Sequence, residues 1–291
     1  VTSTVDPATR PAAVPTERQL PLRSGDFATL LEALDYASGA GTGASFHDGR
    51  GRLEASLGWG RVRRDAEQAA LRLATLGLAR ATRVGIVADT HPDFLVSFFA
   101  CRLAALVPVP LPASIHMGGH RHYVDLVARL LAHAEAGACL ASSAFAPYVA
   151  EADPQRGLAF RGSRAELDAR DPAARLPERP APEELAYVQY TSGSTRFPRG
   201  AMLTERATLR NVRAIVEDGL AIRDGDRFCS WLPIYHDMGL VGKVLVPMAS
   251  QTSIDYLGTR EFAMRPRLWP RLLSDQGATI SFEIGRASCR E

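Results

Sequence analysis

Apolar positions along the chain fall into two rhythms, short unbroken runs and stripes at helical spacing. Val62, Ala66, Ala69, Leu73 and Leu76 lie on one helical stripe, and Gly77 supplies a stop. Arg83–Ala88 (RVGIVA) reads as a short buried strand. Pro92 then suits the first turn of a helix, where a missing N–H costs nothing. That helix, from about Asp93 to Leu106, is apolar on nearly every face and must be buried. VPVPLP follows as the next strand and completes a β-α-β unit. Leu126, Val127, Leu130 and Leu131 mark another helix ending near Gly137, before a small strand at Ala138–Ala141. Further strands are predicted at LAYVQY (185–190), FCSWLP (228–233), SIDYL (253–257) and ATISF (278–282). Between them a helix runs from about Glu205 to Asp218, with Thr204 as N-cap and Gly219 after its last turn. This alternation predicts an α/β fold with mainly parallel sheets. No internal repeat interrupts it.

Residues 1–24 are polar and proline-bearing, which predicts a flexible lead-in. The run DPAARLPERPAPEE at 171–184 carries four prolines and reads as an extended connection. It divides the chain into a first α/β unit at 25–170 and a second at 185–282. Composition changes the picture mainly by exclusion. Hydrophobic residues at 46% and charged residues at 23% exclude a wholly disordered chain. A net charge of +2 is too small for a dedicated nucleic-acid surface. The most apolar stretch, Phe94 to Ala113, is broken by Arg102, Pro108, Pro110 and Pro112, so it is no membrane span. The first 22 residues lack the apolar core of a signal peptide. Cys101, Cys139, Cys229 and Cys289 lie far apart with no C-x-x-C, which implies neither a zinc site nor a disulfide framework. The chain reads as a soluble cytoplasmic protein with reduced thiols.

Candidate chemistry concentrates in Tyr190-Thr-Ser-Gly-Ser-Thr-Arg-Phe-Pro-Arg-Gly200, read as following an apolar strand and preceding a helix. A phosphate needs many short donors converging on one point. Hydroxyls and glycine-freed backbone N–H groups supply them, and arginine adds a forked, delocalised charge. Such composition is more often a surface turn, but here the order of residues is the stronger signal. A Walker loop fails, because it would put glycine at Pro198 and requires a lysine. No G-x-S-x-G nucleophile elbow occurs either.

The stretch YTSGSTRFPRGAMLT resembles the phosphate loop of adenylate-forming enzymes, the superfamily of acyl-CoA synthetases, peptide-synthetase adenylation domains and luciferases. The arginine ending, WLPIYHDMGLVG at 231–242 and QTSIDYL…FAMRP at 251–266 are more narrowly similar to fatty acyl-AMP ligases. FFACRLAALVPVPLP at 98–112 and GGHRHY at 118–123 agree, so the resemblance runs from about Phe27 to Phe282. It implies the N-terminal large domain of such an enzyme, with layered α/β subdomains and no C-terminal lid. Thr191, Ser192, Gly193, Ser194, Thr195 and Gly200 would hold the β- and γ-phosphates of ATP, with Arg199 in place of the usual lysine. His236 would lie near the acyl carboxylate and the α-phosphate, and Asp237, Met238 and Gly239 at the junction of nucleotide and acyl pockets. The implied reaction is attack of a fatty carboxylate on the α-phosphorus, giving acyl-adenylate and pyrophosphate. Magnesium would offset the triphosphate charge. The acyl group would pass to an acyl carrier protein in lipid, polyketide or lipopeptide biosynthesis, with coenzyme A a poor acceptor.

Several elements implied by the resemblance fall beyond this chain. They are the adenine-binding segment, the magnesium-binding glutamate, the ribose-binding aspartate and the lid lysine. No metal ligand is therefore expected within it, and the fragment alone is expected to be inactive. Lys243, the sole lysine, lies in a different motif and does not replace the lid lysine. Residues 283–291 show no apolar period and no family match, and read as a non-native tail. A CoA ligase of the same superfamily and a truncated non-catalytic nucleotide- or acyl-binding module stay open as alternatives. His116, His120 and His122 read as part of a flexible loop more than as a metal site. Gly39–Gly43 reads as a surface loop, and His47, His91 and His133 as surface or packing residues. Trp231 and Tyr235 suit either the pocket or the core.

Overall fold

The computed structural model describes residues 12–113, 119–152, 157–191 and 198–281. Its strands are, in chain order, β1 (Gly43–His47), β2 (Leu53–Gly58), β3 (Arg83–Val87), β4 (Val107–Leu111) and β5 (Ala138–Ala141). They continue with β6 (Phe160–Ser163), β7 (Leu185–Tyr190), β8 (Gly200–Thr204), β9 (Arg227–Ser230) and β10 (Ser253–Leu257). One sheet has the order β2-β1-β10-β9 and a second the order β4-β3-β5-β6, while β7 and β8 form an antiparallel hairpin. Every pairing in the two larger sheets is parallel except β1 with β2. The expected α/β class with mainly parallel sheets is the one observed.

The expected division at 171–184 is not where the sheets divide. β1 and β2 belong to the N-terminal half, yet β1 pairs in register with β10, Ala44 opposite Ile254 and His47 opposite Leu257. Periodicity marks a strand as buried without naming its neighbour, so this long-range pairing was not legible. The stretch 171–184 itself contains neither helix nor strand.

Helices cover the sheets as the stripes require. Trp59–Leu73 buries Val62, Ala66, Ala69 and Leu73, and Gly77 closes it at φ 68°. Pro92–Leu103 is buried from Phe94 to Leu103, and His91 caps it by accepting a bond from the Asp93 N–H. β4 carries Pro108 and Pro110 because it is the outer strand of its sheet, where absent N–H donors break no ladder on the free side. β7 runs beside it, with Val188 in the same apolar cluster as Val109 and Leu111.

Four local expectations need correction. The lead-in is docked over its described part. Val14 is buried and its N–H donates to Ser45 Oγ, while Arg18 donates to the Ser250 carbonyl. The helix after β8 is α-helical over Glu205–Ala214 and widens to a π turn through Gly219. The left-handed residue that follows is Ala221, at φ 48°, and not the glycine. The ATISF strand reduces to one bridge between Ile280 and Phe228, and Phe282 lies outside the described residues. Thr204 does cap its helix, accepting from the Ala207 N–H at 3.2 Å. Gly39–Gly43 is only partly surface, because Ala40, Thr42 and Gly43 are buried and Thr42 Oγ1 donates to the Gln251 carbonyl.

Two buried ion pairs tie distant segments together. Arg102 Nε and Nη2 lie 3.0 and 2.9 Å from Glu205 Oε1, and Glu205 Oε2 accepts from the Leu30 N–H. Asp255 receives Arg227 at 2.6 and 3.1 Å and lies 2.9 Å from His47 Nε2. His47 is therefore a buried partner of a carboxylate and not a surface residue.

Candidate active site

The phosphate-type loop opens between two strands. β7 ends at Tyr190, β8 begins at Gly200, and these two residues pair across the hairpin. The loop therefore returns into a strand, not directly into a helix as the sequence suggested. That strand, Gly200–Thr204, has no buried residue and so no apolar run to mark it, and the expected helix follows it at Glu205. Its neck is closed by a reciprocal pair. Thr191 N–H donates to the Arg199 carbonyl at 2.9 Å, and Arg199 N–H donates to Thr191 Oγ1 at 3.2 Å. Both side chains reach the surface. Gly200 fits tightly, since a Cβ there would lie 3.0 Å from Val188 Cγ1. Ser192, Gly193, Ser194 and Thr195 lie outside the described residues.

His236 occupies the N-cap of a helix running from Asp237 to Ala249, whose middle, Val241–Leu245, is π-helical. Its ring is partly exposed, with Nδ1 2.5 Å from Asp237 Oδ1. Asp237 and Met238 face solvent, and Gly239 is buried. A Cβ on Gly239 would press inside contact distance of the Pro233 carbonyl oxygen. Gly239→Ala is therefore expected to push the His236 turn outward and cost about 1–3 kcal/mol. Chemical denaturation measures this, and a variant as stable as the parent would contradict the tight fit.

One residue missed by the sequence reading joins these two parts. Gln189, buried at 7% exposure in β7, donates from Nε2 to the Tyr235 carbonyl at 2.6 Å. The loop neck two residues on and His236 one residue on are thereby brought together. A signal existed, because a single glutamine inside the apolar run LAYVQY must find polar partners. Tyr235 itself is half-buried against the main core, and burial raises its phenol pKa. Trp231 stacks on Phe262 at 3.8 Å between ring centres, in a separate aromatic cluster with Trp269.

Lys243 sits in the π-helical segment, fully buried, with Nζ 4.8 Å from the centre of the Phe228 ring. Burial pulls its pKa from 10.5 down to about 7. Unfolding therefore takes up a proton between pH 7 and 10.5, so the cost is full below pH 7 and fades as pH rises to 10.5. Lys243→Met is expected to raise the melting temperature most at pH 6 and to lose that advantage above pH 10.5. A pH-independent difference would refute this.

Among the described residues no group of three or more His, Cys, Asp or Glu side chains could hold a metal ion. Asp237, 71% exposed and engaged by His236, makes no magnesium cradle by itself. His120 belongs to the first turn of the helix Gly119–His133, not to a loop, and pairs with Glu151 at 2.6 Å. His122 lies on the same helix, and His116 is outside the described residues. His133 Nδ1 lies 2.9 Å from the Tyr190 hydroxyl, at the base of the hairpin. No described helix is long and apolar enough to cross a membrane.

The fold agrees with what the chain is similar to. A putative acyl-CoA synthetase of Caulobacter vibrioides is 38% identical over 268 residues, covering 92% of this chain and 46% of that protein. A long-chain-fatty-acid–AMP ligase of Mycolicibacterium smegmatis is 34% identical over 209 residues, covering 68% and 32%. A solved chain from structural and functional studies of fatty acyl-adenylate ligases from E. coli and L. pneumophila matches with a TM-score of 0.85 and 43% identity. It covers 90% of this chain and 47% of its own. The adenylation domain of a keto acid-selecting peptide-synthetase module shares the fold alone, at a TM-score of 0.78 and 20% identity. The chain thus spans about half the length of the first of these relatives and of the matching fatty acyl-adenylate ligase structure. The adenylate-forming N-terminal fold, seen here as two mainly parallel sheets with a closed-neck hairpin loop, accompanies a match of the AMP-binding enzyme model to residues 45–286, and the chain belongs to that family.

Proposed function

We propose that this chain supplies the phosphate- and carboxylate-handling half of an acid–AMP ligase acting on fatty acids. The observation that carries the reading is the Gln189–Tyr235 bond, which joins a closed-neck hydroxyl-rich loop to the His236 turn. Fatty carboxylate and ATP are both anions, so catalysis requires charge neutralisation and alignment before bond making. In this reading Arg199, Thr191, the loop residues Ser192–Thr195 and Gly200 hold the β- and γ-phosphates, which leave as pyrophosphate. His236, oriented by Asp237 at 2.5 Å, donates a hydrogen bond where the carboxylate oxygen meets the α-phosphorus. One P–O bond forms and the bond to pyrophosphate breaks. Asp237, Met238 and Gly239 shape the junction between the nucleotide and the acyl chain. When bound, magnesium supplies neutralisation of the triphosphate. The thiol of an acyl carrier protein then attacks the acyl carbonyl, forming a thioester, losing its proton and releasing AMP.

Hydroxylamine trapping of the acyl-adenylate in the full-length protein tests the first half-reaction, and its failure with every fatty acid tried would sink the reading. A second reading, transfer to coenzyme A, is favoured by the relative named as an acyl-CoA synthetase. Direct competition between carrier protein and coenzyme A for a preformed adenylate separates the two.

A further inference from the structure

We infer that Gln189 is a positioning residue for His236, acting through the Tyr235–His236 peptide. The inference rests on the ligase reading for its kinetic consequence but not for its geometry.

That peptide plane is held at both polar ends. Its N–H, on His236, donates to the Pro233 carbonyl at 3.1 Å within the local turn. Its carbonyl, on Tyr235, receives Gln189 Nε2 at 2.6 Å from a strand 46 residues away in sequence. The first bond sets the turn. The second fixes the turn against β7, and so against the loop neck formed by Thr191 and Arg199. His236 leaves this plane directly, so a rotation of the peptide re-aims its ring.

The amide orientation is unambiguous. Nε2 faces two carbonyls, Tyr235 at 2.6 Å and Tyr190 at 3.4 Å, and a flipped amide would set oxygen against oxygen. Its Oε1 is buried and has no hydrogen-bond partner among the described residues. A buried unpaired acceptor is a net cost, which methionine or leucine at this position would avoid. Stability alone thus gives little reason for glutamine here. Length matters as well. Asparagine is one methylene short, glutamate has the reach but no donor, and methionine has the reach without polarity.

A merely structural role and a positioning role predict different results for Gln189→Met. Losing one bond while removing one unpaired acceptor leaves the melting temperature nearly unchanged, within about 2 °C. A re-aimed His236 lowers kcat for adenylate formation by about ten- to a hundredfold, with KM for ATP changed less than about twofold. In a His236→Ala background the same substitution should then cost less than about twofold, because the group it positions is gone. Gln189→Glu, which sets an acceptor against the Tyr235 carbonyl, should be worse than methionine. NMR of the His236 ring supplies a readout independent of turnover, and its carbon–proton resonances should move in Gln189→Met.

Unmoved His236 resonances would overturn the inference. So would equal losses in the parent and His236→Ala backgrounds, or kcat that simply tracks a falling melting temperature. If the parent protein forms no adenylate, the ligase reading fails, while the ring shifts still decide whether Gln189 positions His236.

Discussion

Replacing Thr195 and Arg199 together by alanine is expected to lower acyl-adenylate formation by about a thousandfold with the fold intact. Arg199 contributes to the loop in two separable ways. Its backbone N–H and carbonyl close the neck with Thr191, and alanine retains both bonds. Its guanidinium is exposed beside that neck, and only this part is lost. The substitution therefore removes charge without unpairing the hairpin. Thr195, within the loop itself, would contribute a hydroxyl donor to the phosphates. Because the attacking and leaving groups are both anionic, the loss should fall on kcat as well as on KM for ATP. Trapping with hydroxylamine reads the rate, and thermal melting within about 2 °C of the parent checks the fold. Near-normal trapping by this variant would remove the phosphate-loop assignment. The ligase reading would then need another anion site.

Asp255→Asn is expected to cost about 3–5 kcal/mol of folding stability, the largest effect of any single substitution proposed here. Asp255 is fully buried in β10, and Arg227 in β9 is 3% exposed. The pair is bidentate, with Nε 2.6 Å from Oδ2 and Nη2 3.1 Å from Oδ1. His47 from β1 adds a third contact at 2.9 Å. Asparagine keeps the shape but leaves the guanidinium buried without its counter-charge, and that uncompensated charge is the dominant cost. For a chain of this length the melting temperature should fall on the order of 10 °C. Arg227 also donates to the Val14 carbonyl, so the docked N-terminal stretch should loosen with it. Faster hydrogen exchange at residues 14–18 would show this. A shift below about 2 °C would mean that water reaches and solvates the arginine.

Much of this molecule was legible in its residues. The stripe through Val62, Ala66, Ala69 and Leu73, the wholly apolar Pro92–Leu103 and the N-cap at Thr204 all form as their local patterns require. These are short-range matters, decided by side-chain periodicity and by which residue can satisfy a free backbone N–H. The candidate loop stood out for another reason, since the order of its hydroxyls, glycines and arginines resembles that of a phosphate loop. Pro108 and Pro110 also carried information not drawn from them, because two prolines in one strand demand a sheet edge.

Other features depended on where distant segments meet. The pairing of β1 with β10 made one sheet from both halves of the chain. The same pairing turned His47 from a lone histidine into a partner of Asp255. The polar lead-in became ordered packing because Arg227 and Ser45 offer partners to its backbone. Gln189 gained a polar partner only because Tyr235 comes within 2.6 Å. By itself, then, the sequence determined the fold class and many of its elements, and it singled out the candidate residues. The tertiary structure alone decided strand order, the burial of charge and the coupling of the loop to His236. The physical reason is that periodicity reports how much of a residue is buried, whereas partners across a sheet are chosen by backbone hydrogen bonds and complementary charge between segments far apart in sequence.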